Sequence, residues 1–461
     1  MVSVVQMLER LTRQAAQDES PHHTRHIAIG SGVVSAVPAW LKRHRPGCVN
    51  LIIVDAETLK AAGQSLMDAL RSEGLEARLT VLDPAAGDDH LVCEDGAIEA
   101  MTALLKVSDR MNPIAVGAGT VNDIVKSATH RLGRPYQCVP TAASMNGYTS
   151  SIAAVLSEGV KRTLPAHQPE AVFADTDVIR RAPAVMNRAG FGDLLSKPYS
   201  HADWLLSHMV RGVDYSSEAA QLLDEPWWAM VRSADGIGRG EEDATRVLME
   251  TLLISGFSMA LAGTSAPASG AEHLVSHYWD MEQHCQGLGV RALHGTQVGI
   301  GTRLSGLLLE RLCELDAHQI VPALGAERRA DLGWIDHIDP EHPHLTPEVM
   351  DEVKAQIRQK QRSGQDLQQE LELVRDRWPE ITERLKAALV PPEVITRALS
   401  EAGCASRGSD IGVQEDHLLR TLRVCRHIRT RYVGFDLMDD LGVLETWSES
   451  VVRETEDSAD S

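Results

Sequence analysis

The amino-acid sequence predicts an α/β domain with an open parallel sheet, followed by an all-helical domain. In the first part of the chain, short apolar runs alternate with amphipathic helical patterns, which is typical of parallel strands joined by helices. After about residue 185, strand-like runs disappear and long helical patterns take over. We therefore expect an α/β domain over residues 1–185 and a helical domain over residues 186–461.

Six apolar runs in the first domain predict the strands of the sheet. The run over residues 48–54 is almost continuously apolar, as expected for a strand that is buried on both faces. Amphipathic patterns between these runs predict helices, beginning with a lead-in helix over about the first twenty residues. The predicted strands cover residues 26–30, 48–54, 77–82, 113–116, 136–139 and 171–177, and further helices end near residue 44 or cover residues 58–72 and 94–108.

Long helical patterns account for most of the second domain. A shorter helix is allowed over residues 272–280, which contain neither proline nor glycine. The long predicted helices cover residues 241–262, 296–317, 347–389, 392–402 and 413–429.

Composition and charge exclude several classes of protein. The 461 residues are 43% hydrophobic and 24% charged, which is ordinary for a globular enzyme. With 65 acidic against 45 basic residues, the net charge is −20, whereas binding to a phosphate backbone relies on a basic face. Aromatic residues make up only 4% of the chain, so platforms for stacking single-stranded bases are not expected. We therefore predict no nucleic-acid partner.

The cysteines and the apolar segments indicate where the protein works. Seven cysteines are scattered along the chain without a CxxC pair, which favours a reducing compartment over a disulfide framework. The first ten residues contain no long apolar core or cleavage signal, and no run of eighteen apolar residues occurs. We predict a cytoplasmic protein without a membrane span.

Three separated segments contain candidate metal ligands. His273 and His277 are four residues apart, so both side chains project from one face of a helix. Asp193 and His294 lie in two other segments, and one carboxylate with two imidazoles makes a three-ligand site with a position open for substrate. The alternative is that the spaced histidines form an ordinary core or solvated pair, which is the commoner outcome for that spacing alone.

A glycine-rich turn follows the strand predicted at residues 113–116. Gly117 and Gly119 allow a ligand to approach the backbone closely, and the next helix presents its N–H groups and positive dipole to a pyrophosphate. Asp55 ends another strand, where a carboxylate can accept hydrogen bonds from a ribose. The alternatives are a plain strand-to-helix turn for the glycines and a helix N-cap for Asp55.

A second candidate loop follows the strand predicted at residues 136–139. It has the sequence PTAASMNGYTS and crowds small hydroxyl residues behind a strand end, as ligand-lining loops do. The alternative is a polar connection without a ligand.

Together, these motifs resemble those of the sn-glycerol-1-phosphate dehydrogenases, within the superfamily of iron-containing alcohol dehydrogenases and dehydroquinate synthase-like proteins. The resemblance extends over roughly residues 25–445, and the motifs occur in the family order. It implies a Rossmann-like parallel sheet and a dehydroquinate synthase-like helical domain. The matching motifs are residues 117–123 (GAGTVND), 140–144 (PTAAS), 190–193 (GFGD), 269–273 (SGAEH) and 428–432 (IRTRY).

The resemblance also implies site roles. One divalent metal (zinc, nickel or iron) would bind Asp193, His273 and His294, and Asp193, His277 and Asn146 would contact the substrate. His277 would relay a proton or anchor the substrate. The cofactor, NAD(H) or NADP(H), would bind a further set of residues in the first domain. These are Asp55, Gly117, Ala118, Gly119, Thr120, Val121, Thr141, Ala142, Ala143, Ser144 and Ser150.

The implied reaction is the interconversion of dihydroxyacetone phosphate and sn-glycerol 1-phosphate by hydride transfer. The partner is therefore a small phosphorylated polyol or ketone, and we expect a homo-oligomer. Three alternatives stay open: a dehydrogenase of another small polyol, a sugar-phosphate cyclase of the same superfamily, and a non-catalytic relative. Since cyclases of the superfamily usually have Glu as the first metal ligand, Asp193 favours the dehydrogenase.

Three positions depart from the family pattern. Asn146 replaces a usual Asp, Ala266 replaces an Arg that many members carry, and Thr296 replaces a frequent Glu. Ala266 cannot bind a phosphate as a guanidinium does. Lys161, Arg162 and Lys197 are other candidate phosphate ligands, each with a solvated surface charge as the alternative.

Overall fold

The computed structural model describes residues 4–17, 23–84, 91–157, 160–321 and 331–457. Its contacts divide the chain into two compact units. We call them the sheet unit, which comprises Met1–Leu194, Glu218–Ser265 and Glu401–Gly403, and the helical unit, which comprises Leu195–Ser217, Ala266–Ser400 and Cys404–Ser461. The single domain boundary near residue 185 stays a prediction.

The sheet unit contains a six-stranded sheet in the order β1-β8-β5-β4-β2-β3, in which all paired strands are parallel. An antiparallel hairpin pairs the other two strands, β6 and β7. The strands are β1 (His26–Gly30), β2 (Val49–Val54), β3 (Ala77–Val81), β4 (Met111–Gly117), β5 (Gln137–Pro140), β6 (Ile152–Ser157), β7 (Val160–Pro165) and β8 (Ala171–Asp175).

The central strands are buried because helices cover both faces of the sheet. Every residue of β2, β4, β5 and β8 is buried, in agreement with the apolar run that predicted β2. One core cluster joins β2, β4 and β8 to helices between residues 37 and 70. All six predicted strands are confirmed; β1 has the predicted bounds, and the ends of the other five differ by at most two residues.

The hairpin β6–β7 was not predicted. The available signal in the sequence was the pair Glu-Gly at positions 158 and 159, because a glycine-containing pair between two strand-like runs is typical of hairpin sequences. The flanking runs contain alanine, lysine and arginine, so their strand propensity is weak.

Helices form the remainder of both units. In chain order they are α1 (Val4–Gln17), α2 (Val37–His44), α3 (Ala56–Thr58), α4 (Gln64–Ser72), α5 (Asp95–Lys106), α6 (Gly119–Leu132), α7 (Thr176–Ile179), α8 (Ala184–Leu195), α9 (Lys197–Arg211), α10 (Ser217–Gln221), α11 (Asp224–Val231), α12 (Ala234–Arg239), α13 (Glu242–Ala262), α14 (Ala271–Cys285), α15 (His294–Cys313), α16 (Pro347–Lys360), α17 (Gly364–Ala388), α18 (Pro392–Glu401), α19 (Glu415–Val424), α20 (Gly434–Asp440) and α21 (Leu444–Asp457).

Two of the long predicted helices are wrong as single elements. The pattern over residues 347–389 is two helices, α16 and α17, because the backbone is extended at Gln361 and Ser363 between them, and Gly364 begins α17 with a positive φ of 54°. In place of the single helix predicted over residues 413–429, the structure has the short helix α19 followed by a 3₁₀ turn, Cys425–Ile428. The predicted α/β plus helical fold class itself is confirmed.

Helix α13 is long and apolar enough to cross a membrane by length and composition. Most of its apolar stretch is buried inside the protein, where it packs against α1, α11 and α12. This burial is typical of a core helix in a water-soluble domain.

Candidate active site

The order of the strands creates a crevice at the carboxyl ends of β2 and β4. These strands are neighbours, but the chain leaves β2 toward β3 on one side and leaves β4 toward β5 on the other. Ligands of parallel α/β sheets bind where such connections diverge. Asp55 directly follows β2, and the Gly117–Gly119 turn follows β4, so both predicted cofactor segments lie at this crevice.

The turn after β4 is shaped by close packing. A Cβ atom on Gly117 would lie 2.6 Å from the Cβ atom of Val121, so any side chain there would push strand and helix apart. Helix α6 has no side-chain cap at Ala118, and Ala118, Gly119 and Thr120 are half-buried. The N–H groups of the first turn are therefore available to an anion.

The two carboxylate oxygens of Asp55 differ in their hydrogen bonds. Its Oδ1 accepts hydrogen bonds from the backbone N–H groups of Glu57 at 2.9 Å and Thr58 at 2.7 Å, while the Thr58 hydroxyl accepts one from the Asp55 N–H. This capping box confirms the N-cap interpretation. The described residues place no hydrogen-bond donor on Oδ2, which can therefore accept from a ribose hydroxyl.

Asp55→Ala is expected to raise the KM for NADH by about tenfold, because it removes the carboxylate that would bind the ribose. It also removes the cap, which costs about 1 kcal/mol of stability. Thr58→Val is the matched control, since it weakens the same capping box but leaves the Asp55 carboxylate in place. Steady-state kinetics measure the KM for NADH of both variants. If the two substitutions raise this KM equally, Asp55 acts only as a helix cap and does not bind the ribose.

The loop after β5 lies beside the β4 turn. The Thr141 N–H donates to the Gly117 carbonyl at 3.2 Å, and the Tyr148 hydroxyl donates to the Ala142 carbonyl at 2.7 Å. The Ala143 N–H donates to Asn187 Oδ1 at 2.9 Å. Thr141, Ala142 and Ala143 thus form a fixed wall, whereas Ser144 is half-buried and interacts with Tyr148.

Ser150 and Lys126 hold the end of this loop. The fully buried Ser150 hydroxyl lies within hydrogen-bond distance of the Gly147 and Ile152 carbonyls, so its contact with cofactor stays a prediction. The Lys126 ammonium donates to both carbonyls and to the Ser150 hydroxyl. Burial lowers the pKa of Lys126, while Asp123 acts in the opposite direction. Sequence analysis missed Lys126, because its partners are 21 to 26 residues away.

Asn146 contacts Asp193, the predicted carboxylate ligand. Its backbone N–H donates to Asp193 Oδ2 at 3.1 Å, and its Nδ2 donates to Oδ1 at 3.2 Å. Asp193 itself is 1% exposed. Asn146 therefore orients a buried carboxylate with one backbone and one side-chain hydrogen bond, and an ionised Asp at this position could donate only the backbone one.

Asn146→Ala is expected to weaken metal affinity by about tenfold, because partners that orient a metal ligand typically contribute that much or more. The backbone hydrogen bond remains, so the loss is partial. A competition titration with a chelator measures it. Asn187→Ala is the control, since it removes a side-chain hydrogen bond to the same loop at Ala143 without touching Asp193; a metal affinity lowered as much by this variant would contradict the role of Asn146.

The two predicted imidazole ligands lie together in the helical unit. The rings of His273 in α14 and His294 at the start of α15 are 5.2 Å apart. His273 Nδ1 lies 2.9 Å from Glu272 Oε1, and His294 Nδ1 lies 2.8 Å from the Ser276 hydroxyl. Each imidazole is oriented through Nδ1, which leaves its Nε2 for a metal.

Glu272 is fully buried and also accepts a hydrogen bond from the Gly270 N–H at 2.7 Å. Nearby, Asp203 accepts from the N–H groups of Ala271 and Gly434, both at 2.7 Å. Burial, together with the charge of Glu272, raises the pKa of Asp203 to about 7. These carboxylates fix the first turn of α14, from which His273 projects.

Asp193, His273 and His294 form a group with ligand atoms within 4.8 Å of one another. A carboxylate oxygen and two imidazole nitrogens suit zinc, nickel or iron, and they do not decide among these metals. The donor set and its orienting hydrogen bonds fit a catalytic metal that keeps a coordination position open.

His277 lies one turn from His273. Its ring is 6.2 Å from that of His273 and 5.3 Å from that of His294. Arg429 Nη2 lies 3.4 Å from His277 Nδ1, a contact that sequence analysis missed because the two residues are 152 positions apart. Arg429 belongs to the quoted IRTRY motif, which had been given no role.

The structure shows the surroundings of two other positions that were considered for phosphate binding, Lys197 and Ala266. Lys197 is not a surface charge: it is 4% exposed, and its ammonium donates to the Ala268 carbonyl at 3.1 Å. Ala266 is buried. The side chain of Lys161 lies outside the described residues.

Comparisons with known proteins show which family the chain belongs to. The sequence profile of the iron-containing alcohol dehydrogenase family matches residues 28–183. The chain is 35% identical over 308 residues to the glycerol-1-phosphate dehydrogenase [NAD(P)+] of Halalkalibacterium halodurans, which covers 66% of this chain and 76% of the relative. For the glycerol-1-phosphate dehydrogenase [NAD(P)+] of Geobacillus thermodenitrificans, the identity is 37% over 302 residues, covering 64% and 74% of the two chains.

The fold is shared with solved structures at lower identity. The crystal structure of glycerol dehydrogenase from Schizosaccharomyces pombe aligns with a TM-score of 0.58 at 16% identity, covering 95% of this chain and 92% of that one. Fold and site therefore define an oxidoreductase of the iron-containing alcohol dehydrogenase class, which uses NAD(P) and a divalent metal. Within that class, the chain belongs to the glycerol-1-phosphate dehydrogenase family.

Proposed function

We propose that this protein interconverts dihydroxyacetone phosphate and sn-glycerol 1-phosphate with NAD(H) or NADP(H), using one divalent metal bound to Asp193, His273 and His294. The observation that carries the proposal is the grouping of these three ligands, each oriented by a further hydrogen bond. The names of the relatives at 35% and 37% identity support the substrate pair.

The ligand side chains would be prepared for a metal before it binds. Glu272 accepts from Nδ1–H of His273, which leaves the lone pair on Nε2. Asn146 holds both oxygens of Asp193. A divalent metal at these atoms supplies Lewis-acid polarisation of a ketone or alcohol oxygen.

The crevice between β2 and β4 would bind the dinucleotide. We propose that the N–H groups at the start of α6 bind the pyrophosphate and that Asp55 Oδ2 accepts from the ribose. Thr141 to Ser144, with Ser150, would line the remainder of the cofactor. The chain then serves to orient the nicotinamide toward the substrate carbon, since the hydride chemistry belongs to the cofactor.

His277 is proposed to anchor the substrate oxygen through Nε2. Because Arg429 donates to Nδ1, the neutral imidazole has its proton on Nε2. That N–H can donate a hydrogen bond to the substrate oxygen and stabilise the negative charge that develops there during reduction.

Two further properties are proposals as well. We infer a cytoplasmic enzyme, with support from seven cysteines that are all free thiols. We also infer a homo-oligomer, which light scattering coupled to size exclusion tests directly.

The test of function is NADH oxidation by the purified protein with dihydroxyacetone phosphate, before and after treatment with a chelator. We expect turnover that is lost with the metal and restored by adding zinc, nickel or iron. Unphosphorylated dihydroxyacetone is the comparison substrate. Equal rates with both would favour a plain polyol dehydrogenase, and conversion of a sugar phosphate without net loss of NADH would identify a cyclase.

A further inference from the structure

Arg429 lies beside the histidines of the candidate metal site. Its Nη2 is 3.4 Å from His277 Nδ1, and the ring of His277 lies 5.3 Å from the ring of His294. His277 thus connects the guanidinium to the predicted metal ligands. A cation next to these side chains can bind an anionic group of a substrate that is held there.

The backbone that carries Arg429 is held in place from inside the helical unit. Lys360 is 4% exposed, and its ammonium donates to the carbonyls of Arg426 and Arg431, on either side of Arg429. The same ammonium forms an ion pair with Asp436 at 2.9 Å. A buried cation that binds two carbonyls of one short segment keeps it from shifting, so Arg429 is presented in a fixed position.

The segment is also tied to α14. The Arg431 guanidinium donates to the Ser269 carbonyl, just before the helix that carries His273 and His277. Asp203 links the same two parts through the N–H groups of Ala271 and Gly434. Arg429 and the histidines therefore belong to one packed arrangement, which is the preorganisation that anion binding requires.

The neighbouring arginines, Arg426 and Arg431, form ion pairs and hydrogen bonds within the protein. Arg426 is 1% exposed and binds Asp436 and Asp439. Arg431 is bonded to a carbonyl and interacts electrostatically with Glu272 and Asp203. Arg429 instead meets the imidazole of His277 and is half-buried, so its guanidinium can face a solvent-borne ligand.

We propose that Arg429 binds the phosphate group of the substrate and so sets the preference for phosphorylated polyols. This inference rests on the proposed function. Guanidinium matches phosphate oxygens with a fork of parallel N–H donors. Ala266 cannot replace it, because its side chain lacks a polar group.

Arg429→Met and Arg429→Lys test the proposal against a purely structural role in holding His277. We expect Arg429→Met to lower kcat/KM for dihydroxyacetone phosphate by roughly 30- to 1,000-fold, mainly through KM, as for the loss of one partner of a hydrogen-bonded charge pair. Turnover of unphosphorylated dihydroxyacetone should fall by a clearly smaller factor, which reports only the loss of the hydrogen bond to His277. The lysine variant should recover part of the loss, since it keeps the charge but not the fork.

Competitive inhibition by inorganic phosphate gives a readout that does not depend on the identity of the substrate. It should be clear in the parent protein and strongly weakened in Arg429→Met. Arg423→Met is the matched control, because Arg423 is exposed and pairs with Glu445 at 2.8 Å. Metal content should be unchanged in all three variants.

The outcomes separate the two proposals. Equal losses with both ketones, or phosphate inhibition that survives in Arg429→Met, would overturn the role of Arg429. A parent protein that turns over neither ketone but is inhibited by phosphate in another reaction would overturn the proposed substrate. In that case the loss of phosphate inhibition in Arg429→Met would still support the anion site.

Discussion

Replacing either His273 or His294 by alanine is expected to reduce the metal content of the purified protein to near zero and kcat/KM by at least about 10³-fold. Each ligand supplies one of the three donor atoms that lie within 4.8 Å of one another. A site left with two ligands loses several kcal/mol of metal binding, and the polarisation of the substrate oxygen is worth a similar amount.

His284→Ala is the control for this pair of variants. It lies in the same helix α14 but is exposed at the far end, so its loss should leave the metal content intact. Elemental analysis of all three proteins decides. Undiminished metal in both His273→Ala and His294→Ala would place the metal elsewhere or remove it from the mechanism.

Gly190→Ala is expected to destabilise the sheet unit by at least about 3 kcal/mol and to abolish tight NADH binding. An added Cβ would lie 1.9 Å from the Ala143 carbonyl oxygen, and neither backbone can yield as a flexible side chain would. Helix α8 would have to move away from the loop after β5, which carries five predicted cofactor residues. A loss of this size lowers the Tm by roughly 6–12 °C.

Gly96→Ala provides the comparison for this substitution. Gly96 lies in the first turn of α5, and an added Cβ would meet only Glu94 Oε1 at 3.7 Å, an ordinary contact. Its stability should be unchanged or slightly higher. Thermal denaturation and NADH fluorescence titration measure both variants; a Gly190→Ala protein as stable as Gly96→Ala would show that the close approach to Ala143 does not exist.

The sheet could be predicted because its signals are local. The apolar run of β2 and the glycine that ends β4 are contained in a few adjacent residues, and burial on both faces needs such runs. Where the local signal was weak or mixed, prediction failed. The β6–β7 hairpin has low strand propensity, and the helical pattern over residues 347–389 continued across the break at residues 361–363.

The metal ligands could be predicted because their residue types are chemically distinctive. Asp, His and His within family-like motifs suffice to name Asp193, His273 and His294. The groups that orient them were not predicted in those roles. Glu272 was quoted only as part of a motif, and Asn146 was expected to contact substrate, whereas it donates to Asp193.

By itself, the sequence determined the fold class, the order of the candidate cofactor and metal segments, and the three side chains that the structure groups as candidate metal ligands. Only the tertiary structure decided that Asn146 supports Asp193, that Lys126 and Lys360 are buried and hold loops, and that Arg429 meets His277. The reason is physical. Periodicity and residue type are set by neighbours along the chain, whereas a hydrogen bond between residues 47 or 152 positions apart depends on where folding brings their backbones.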